Sequence, residues 1–328
     1  MTQSVVIHIG LHKTGTRYLQ RMVFAQLPSA EFVFNPPALT DPLRQALRAP
    51  GNREAADRAR EAVERWRSEG DTRTLVLSQP HASGDMYGMH QGYEEHAALL
   101  RELFPKARIV YVVRNVASWL QSAYRQSLVK DPGQPIERFL NFYDGAFHPR
   151  PAAWVAGNRT LDATGMRFLD IYNTYAQAFG PERVYLFTQE HLRKRPDAVN
   201  RRLAQALAID RLPEPPHERS QNRSFSALAI HLFFPGAWLR SGRPPEHAIG
   251  QGPGTIRRRL KRLRKLRANV IKHVFDRIAY IDWDLLERGG MRRELNTLYE
   301  AEEAELQRIA SRILDEGPES MRQHSRDS

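Results

Sequence analysis

Two stretches of this chain hold side chains whose types and order suit the handling of an anion. The first is Gly10-Leu11-His12-Lys13-Thr14-Gly15-Thr16, which follows an apolar run and leads into a helix-forming stretch. Backbone N–H groups at a helix N-terminus point outward, and the helix dipole favours negative charge there. Gly15 lets the backbone approach a ligand closely, Lys13 supplies a point charge, and Thr14 and Thr16 supply hydroxyl donors. This is phosphate-binding chemistry, but not the nucleotide-triphosphatase loop, which reads Gly-x-x-x-x-Gly-Lys-Ser/Thr. Here the lysine precedes the glycine, and Arg17 stands where that loop has a second hydroxyl. Taken alone, the segment also reads as a plain strand-to-helix connection with a surface lysine.

The second stretch is 108–124. Five apolar residues, Ile109 to Val113, lead directly to Arg114-Asn115, and Ser118 and Ser122 follow on a helical pattern. A strand apolar on both faces belongs in the middle of a parallel sheet, and ligands of open α/β sheets bind at the carboxyl ends of the strands. An arginine fork with a serine hydroxyl makes a clamp for a phosphate monoester. The alternative for this stretch alone is an arginine that caps the sheet through a salt bridge, followed by ordinary helical serines.

The elements that must position these groups alternate along the chain. Strands are predicted at 4–9, 74–77, 108–113 and 183–187, and helices at 16–26, 53–69, 93–103, 116–129, 168–179 and 199–207. That alternation predicts an α/β fold, a P-loop-like doubly wound parallel sheet flanked by helices, with a helical C-terminal extension. The expected organisation is an α/β core over residues 1–240, with 241–328 as a loop and basic helical extension of the same domain. Pro213 to Pro216 reads as a break, 225–234 as a helix, 241–254 as a Gly/Pro-rich loop, and the chain from there to about 316 as helical.

Taken together, Gly10-x-x-Lys13-Thr14-Gly15-Thr16 and Val112-Val113-Arg114-Asn115 with Ser122-x-Tyr124 resemble the sulfotransferase superfamily that uses 3′-phosphoadenosine 5′-phosphosulfate (PAPS). The first stretch is similar to that superfamily's 5′-phosphosulfate loop and the second to its 3′-phosphate motif. A third stretch, Tyr185-Leu186-Phe187-Thr188-Gln189-Glu190-His191-Leu192, is similar to its later strand and helix, so the likeness covers about residues 4–230. The resemblance implies that Lys13 contacts the phosphosulfate and stabilises charge on the bridging oxygen. It implies that Thr14, Gly15, Thr16 and Arg17 hold the 5′-phosphate, and that Arg114 and Ser122 hold the 3′-phosphate. It also implies a general base just after the strand at 74–77, where the family places a His or a Glu. This chain reads Ser78-Gln79-Pro80-His81 there, which departs from the Ser-Ser-Glu of bacterial carbohydrate-like members. His81 is the nearest ionisable group, and His12, beside Lys13, is the next candidate; Glu94 and Glu95 read as a solvated helix face.

The expected reaction is in-line transfer of a sulfuryl group from PAPS to a hydroxyl or amine of a small-molecule, glycan or lipid acceptor, glycan or lipid being favoured. Adenosine 3′,5′-bisphosphate is the expected product. No metal is expected, since no metal-spaced cluster occurs, and the absence of cysteine excludes disulfides, zinc–thiolate sites and a thiol nucleophile. Arg219 and Arg223 are further candidates for the nucleotide, against a plain polar loop, and Trp154, Trp238 and 241–254 for the acceptor.

The net charge of +12 is concentrated: residues 257–273 hold nine Lys/Arg and no acid, so the rest of the chain is close to neutral. Leu260, Leu263, Val270 and Val274 put an apolar stripe on that segment, which reads first as a helix laid on the core and second as a peripheral contact with an anionic membrane or acidic glycan. Nucleic acid is not expected, because no recognition motif accompanies the charge. Without a signal-like N-terminus or a membrane-spanning run, a cytoplasmic protein is expected. Two other classes compete: a P-loop-type kinase or nucleotide hydrolase, and a non-enzymatic anion- or membrane-surface-binding protein. The first lacks a correctly placed Walker lysine, and the second leaves Lys13 and Arg114 unexplained.

Overall fold

The computed structural model describes residues 3–129, 133–149, 160–214, 225–234, 269–278 and 280–321. Residues 219–224, Trp154, Trp238, the loop at 241–254, the boundary expected at 240 and the greater part of the basic segment lie outside the described residues.

Five strands form one parallel sheet: β1 (Val5–Gly10), β2 (Phe32–Phe34), β3 (Thr74–Ser78), β4 (Arg108–Val113) and, after a small hairpin of β5 (Phe142–Tyr143) and β6 (Ala146–Phe147), β7 (Val184–Thr188). Their order is β2-β3-β1-β4-β7, the doubly wound α/β arrangement expected from the alternation of elements. The chain first builds to one side of β1, with β3 and β2, and then crosses to the other, with β4 and β7. The order therefore reverses between β1 and β4, and that switch point is where an open α/β sheet forms its ligand crevice.

The local reasons are legible in the side chains. Ile109 to Val112 are fully buried, as are Val6, Ile7 and Ile9, so β4 and β1 are central strands apolar on both faces. Helix α1 (Thr16–Tyr18) continues as a π-helical turn, Leu19–Val23, and a 3₁₀ turn, Phe24–Gln26. Leu19, Val23 and Phe24 enter the core cluster with Val6, Val110, Val112 and Phe187. Burial of each such side chain is worth about 1.5–3 kcal/mol, which anchors the element immediately following the Lys13 loop.

Among the elements not anticipated are β2 and the helix α2 (Pro37–Arg48). The latter begins with proline at its first position and buries Leu39, Leu43, Ala46 and Leu47. Helix α3 (Arg53–Ser68) is capped by the Asn52 side chain and buries Ala55, Ala59 and Ala62 with Val63 and Trp66. Helix α4 (Tyr93–Leu103) leads back to β4, and Met291–Glu316 forms a 26-residue helix near the C-terminus.

Contacts divide the chain into two compact units, one of 1–114, 167–220 and 301–328, the other of 115–166 and 221–300. The first contains the whole five-stranded sheet. The second contains helix α5 (Val116–Ser127), the hairpin and the helix Ala227–Phe233. It is held by a buried Arg125, which forms two bonds to the Asp282 carboxylate (2.7 and 2.9 Å) and one to the Phe225 carbonyl. Val270 and Val274, at the end of the basic segment's apolar stripe, are about half exposed, 52% and 55%. No described helix is long and apolar enough to cross a membrane.

Candidate active site

The carboxyl ends of β1, β3 and β4 carry the residues singled out in the sequence. The Leu11 N–H donates to the Val112 carbonyl (2.9 Å), which ties the loop after β1 to the strand that ends beside Arg114. Lys13 and Arg114 thus flank the switch point, and both are half-buried. Thr14 and Thr16 each donate their hydroxyl to the Leu11 carbonyl (2.8 and 2.9 Å), so in this structure they shape the loop. The Gly15 carbonyl accepts from Tyr18 N–H and Leu19 N–H, and the N–H groups of Thr16 and Arg17 precede these first helical bonds.

Two glycines are required by this geometry. Gly15 has φ +93°, and the nearest neighbour of an added Cβ is Leu192, at 3.9 Å, from the third motif stretch. Gly10 has φ +103°, and a Cβ there would press on the Pro80 backbone at 3.3 Å. That close approach sets the turn Pro80–Ser83, which carries His81, against the end of β1. The Tyr175 hydroxyl donates to the Ala82 carbonyl (2.9 Å) and supports the same turn. Lys13 itself has φ +70°, a left-handed conformation rare for a residue with a side chain.

The two histidines proposed from sequence meet: the rings of His12 and His81 lie edge to face with centroids 5.0 Å apart. The Arg48 Nε–H donates to His81 Nε2 (3.1 Å), so that nitrogen is an acceptor and the neutral ring carries its proton on Nδ1. Partial burial, then the Arg48 charge, lower the His81 pKa. His12 is held to about 3 by burial, then by the charge of His81, His90, Lys13 and Arg48. Burial weighs more heavily on His12 than on His81. Ser122 lies half-buried on α5, in the other compact unit; Arg17 is exposed.

A cavity of about 450 Å³ opens beside the histidines. His12, Ser78, Gln79 and His81 line it, together with residues that the sequence reading did not single out: Gln20, Arg21, Asn35, Arg44 and Arg48. Ser78 is fixed there by three bonds. Its N–H donates to Asn35 Oδ1 (2.8 Å), Gln20 Nε2 donates to its Oγ (2.9 Å), and that hydroxyl lies 2.9 Å from His8 Nδ1. Among the described residues no group of three or more His, Cys, Asp or Glu is placed to hold a metal.

Burial of the histidines has a consequence for stability. His8 and His90 are fully buried, and loss of hydration drops their pKa from 6.5 to about 3 and about 4. The unfolded chain binds these protons first, so stability is full above about pH 6.5 and falls as pH drops toward 4. Each buried ring costs up to about 1.4 kcal/mol per pH unit in that window. Urea melts at pH 7.5, 6 and 5 are expected to show a progressive loss of several kcal/mol; an unchanged midpoint at pH 5 contradicts this.

A sequence model described as a sulfotransferase family matches residues 5–214. The chain belongs to the sulfotransferase family. Two solved structures are similar to it: a sulfotransferase from Alicyclobacillus acidocaldarius, 19% identical over 72% of this chain and 93% of that one with a TM-score of 0.45, and a sulfotransferase domain from the curacin biosynthetic pathway, 14% identical over 67% and 76% with a TM-score of 0.36. These likenesses are distant, and family membership rests on the sequence match. No curated protein sequence matches the chain.

Proposed function

We propose that this sulfotransferase takes its sulfuryl group from PAPS and delivers it to an acceptor hydroxyl or amine. The observation that carries the reading is the placement of Lys13 and Arg114 on either side of the β1/β4 switch point, where a nucleotide with an anionic group at each end has a cation for both. Lys13 and the N–H groups that open α1 face the 5′-phosphosulfate, with Thr14, Gly15, Thr16 and Arg17 as that loop. Arg114 takes the 3′-phosphate through its planar fork, and Ser122 keeps the role that the sequence resemblance implies.

The acceptor oxygen or nitrogen attacks sulfur as the bond from sulfur to the bridging phosphate oxygen breaks. The bond's electron pair leaves with adenosine 3′,5′-bisphosphate, whose developing charge meets the Lys13 ammonium. The acceptor's proton passes to His81. Positioning and electrostatics then supply most of the acceleration, as they do in phosphoryl transfer.

Calorimetry distinguishes this from a kinase or hydrolase. Adenosine 3′,5′-bisphosphate is expected to bind at least about tenfold tighter than adenosine 5′-monophosphate or ATP, which is one charge-assisted clamp on the extra phosphate. Arg114→Ala should erase the preference over the monophosphate and leave the fold intact. Tighter binding of ATP, or a preference that survives in Arg114→Ala, overturns the assignment.

A further inference from the structure

The cavity beside the two histidines lies on the β1/β3 side of Lys13, whereas Arg114 lies on the β4 side, so Lys13 stands between them in the strand order. Two features of that cavity bear on what enters it. Among the described residues its lining contains three arginines, Arg21, Arg44 and Arg48, and neither Asp nor Glu. Asp41, just outside, pairs with Arg44 (2.8 Å), but both side chains are well exposed and the pair is weak. The lining also contains Gln79, 1% exposed, whose side-chain Nε2 has no hydrogen-bond partner among the described residues. A buried amide nitrogen with two N–H donors and nothing to receive them is costly unless a ligand supplies an acceptor.

These donors select for charge and shape. Arginine forks match planar carboxylates and the oxygens of sulfate esters in paired, charge-assisted bonds, and a lysine-lined pocket would lack that geometry. A neutral acceptor would offer the arginine forks no anion to receive their N–H groups and would leave the Gln79 donors unmet. The volume is that of an ordinary small-ligand site, and Phe34 supplies an apolar wall.

We infer that the acceptor of this sulfotransferase is itself anionic, carrying a carboxylate or sulfate ester close to the group that is sulfated, held by Arg21, Arg44, Arg48 and the Gln79 amide. This rests on the reading of the neighbouring loop as the donor site. It also assigns Arg48 two states. Without acceptor its guanidinium bonds His81 Nε2; an incoming anion competes for the same guanidinium and releases that nitrogen as the acceptor arrives.

The test uses the full chain saturated with adenosine 3′,5′-bisphosphate, titrated with three probes of one scaffold: methyl β-glucuronide, methyl β-glucoside 6-sulfate and uncharged methyl β-glucoside. At least one anionic probe is expected to bind roughly tenfold or more tightly than the neutral one, which is one charged hydrogen-bond set. The better of the two identifies the anion. The double variant Arg21→Gln/Arg44→Gln should abolish that margin with bisphosphate affinity unchanged. If neither anionic probe exceeds the neutral one, or the margin survives in the double variant, the inference is overturned. Failure of the bisphosphate itself to bind would instead remove the donor-site reading, and the inference with it.

Discussion

Lys13→Ala should give a folded protein whose sulfuryl transfer from PAPS is slower by about 10²–10³-fold, the loss seen when one preorganised electrostatic group is removed from a transition state. In the proposed reaction, the charge that Lys13 offsets is small in bound PAPS and grows on the bridging oxygen as the S–O bond breaks. The effect therefore falls on turnover more than on affinity for the bisphosphate product. Lys13→Arg should recover only part of the rate, because a broad fork replaces a compact ammonium on a loop built for one. Lys13→Gly separates structure from chemistry. The residue sits at φ +70°, which glycine adopts freely, so that variant relieves a backbone cost of about 1–2 kcal/mol while giving up about 0.5–1 kcal/mol in chain entropy. Its thermal midpoint should match or exceed that of the wild type, yet its turnover should be as low as that of Lys13→Ala. Labelled-donor transfer and thermal melts read both quantities. A variant of either kind within about threefold of the wild-type rate would remove Lys13 from the chemistry.

A left-handed lysine, kept where glycine would be relaxed, is what a binding loop shows when side-chain identity outweighs local conformation. The sequence could not reveal that strain, because φ is a property of the folded loop. It did reveal the loop's place. A β-branched strand, two glycines and a lysine ahead of a helix left few other arrangements. The same holds for β4: five apolar residues before Arg114 required a central parallel strand with the arginine at its carboxyl end. These readings depend on short-range patterns, and short-range patterns survive in the fold.

What was missed depended on long-range contact. Helix α2 was not anticipated; it carries Pro36, Pro37 and Pro42, and proline at a first helical position is favourable. The signal was present in the spacing of Leu39, Leu43 and Leu47, all buried, with Arg44 and Arg48 four residues apart on another face. Strand β2 is three residues long and exists because it pairs with β3 at the sheet edge. The Arg48–His81 bond joins positions 33 residues apart. No local rule places those side chains together. The histidine was therefore legible as a candidate base, and the arginine bonded to it was not.

That arginine shapes the second large effect. His81→Ala should reduce kcat/KM by about 10²–10⁴-fold, the usual contribution of a positioned general base. The pH dependence tells whether the loss is catalytic or structural. Burial and the adjacent Arg48 charge both favour the neutral ring and lower its pKa. A base must be unprotonated to work, so the acid limb of kcat/KM should lie below 6.5, the ordinary histidine value. Arg48→Gln removes a cation next to the ring, which stabilises the imidazolium relative to the wild type and should move that limb upward. His81→Ala should remove it altogether. These shifts have opposite consequences at pH 6, where Arg48→Gln loses activity to protonation and the residual rate of His81→Ala is indifferent to pH. A limb that persists unmoved in His81→Ala would transfer the role to another group, and His12 would then have to act from a ring held to about 3 by its surroundings. So depressed a pKa makes a poor proton acceptor at neutral pH, which is the physical reason to place the proton on His81.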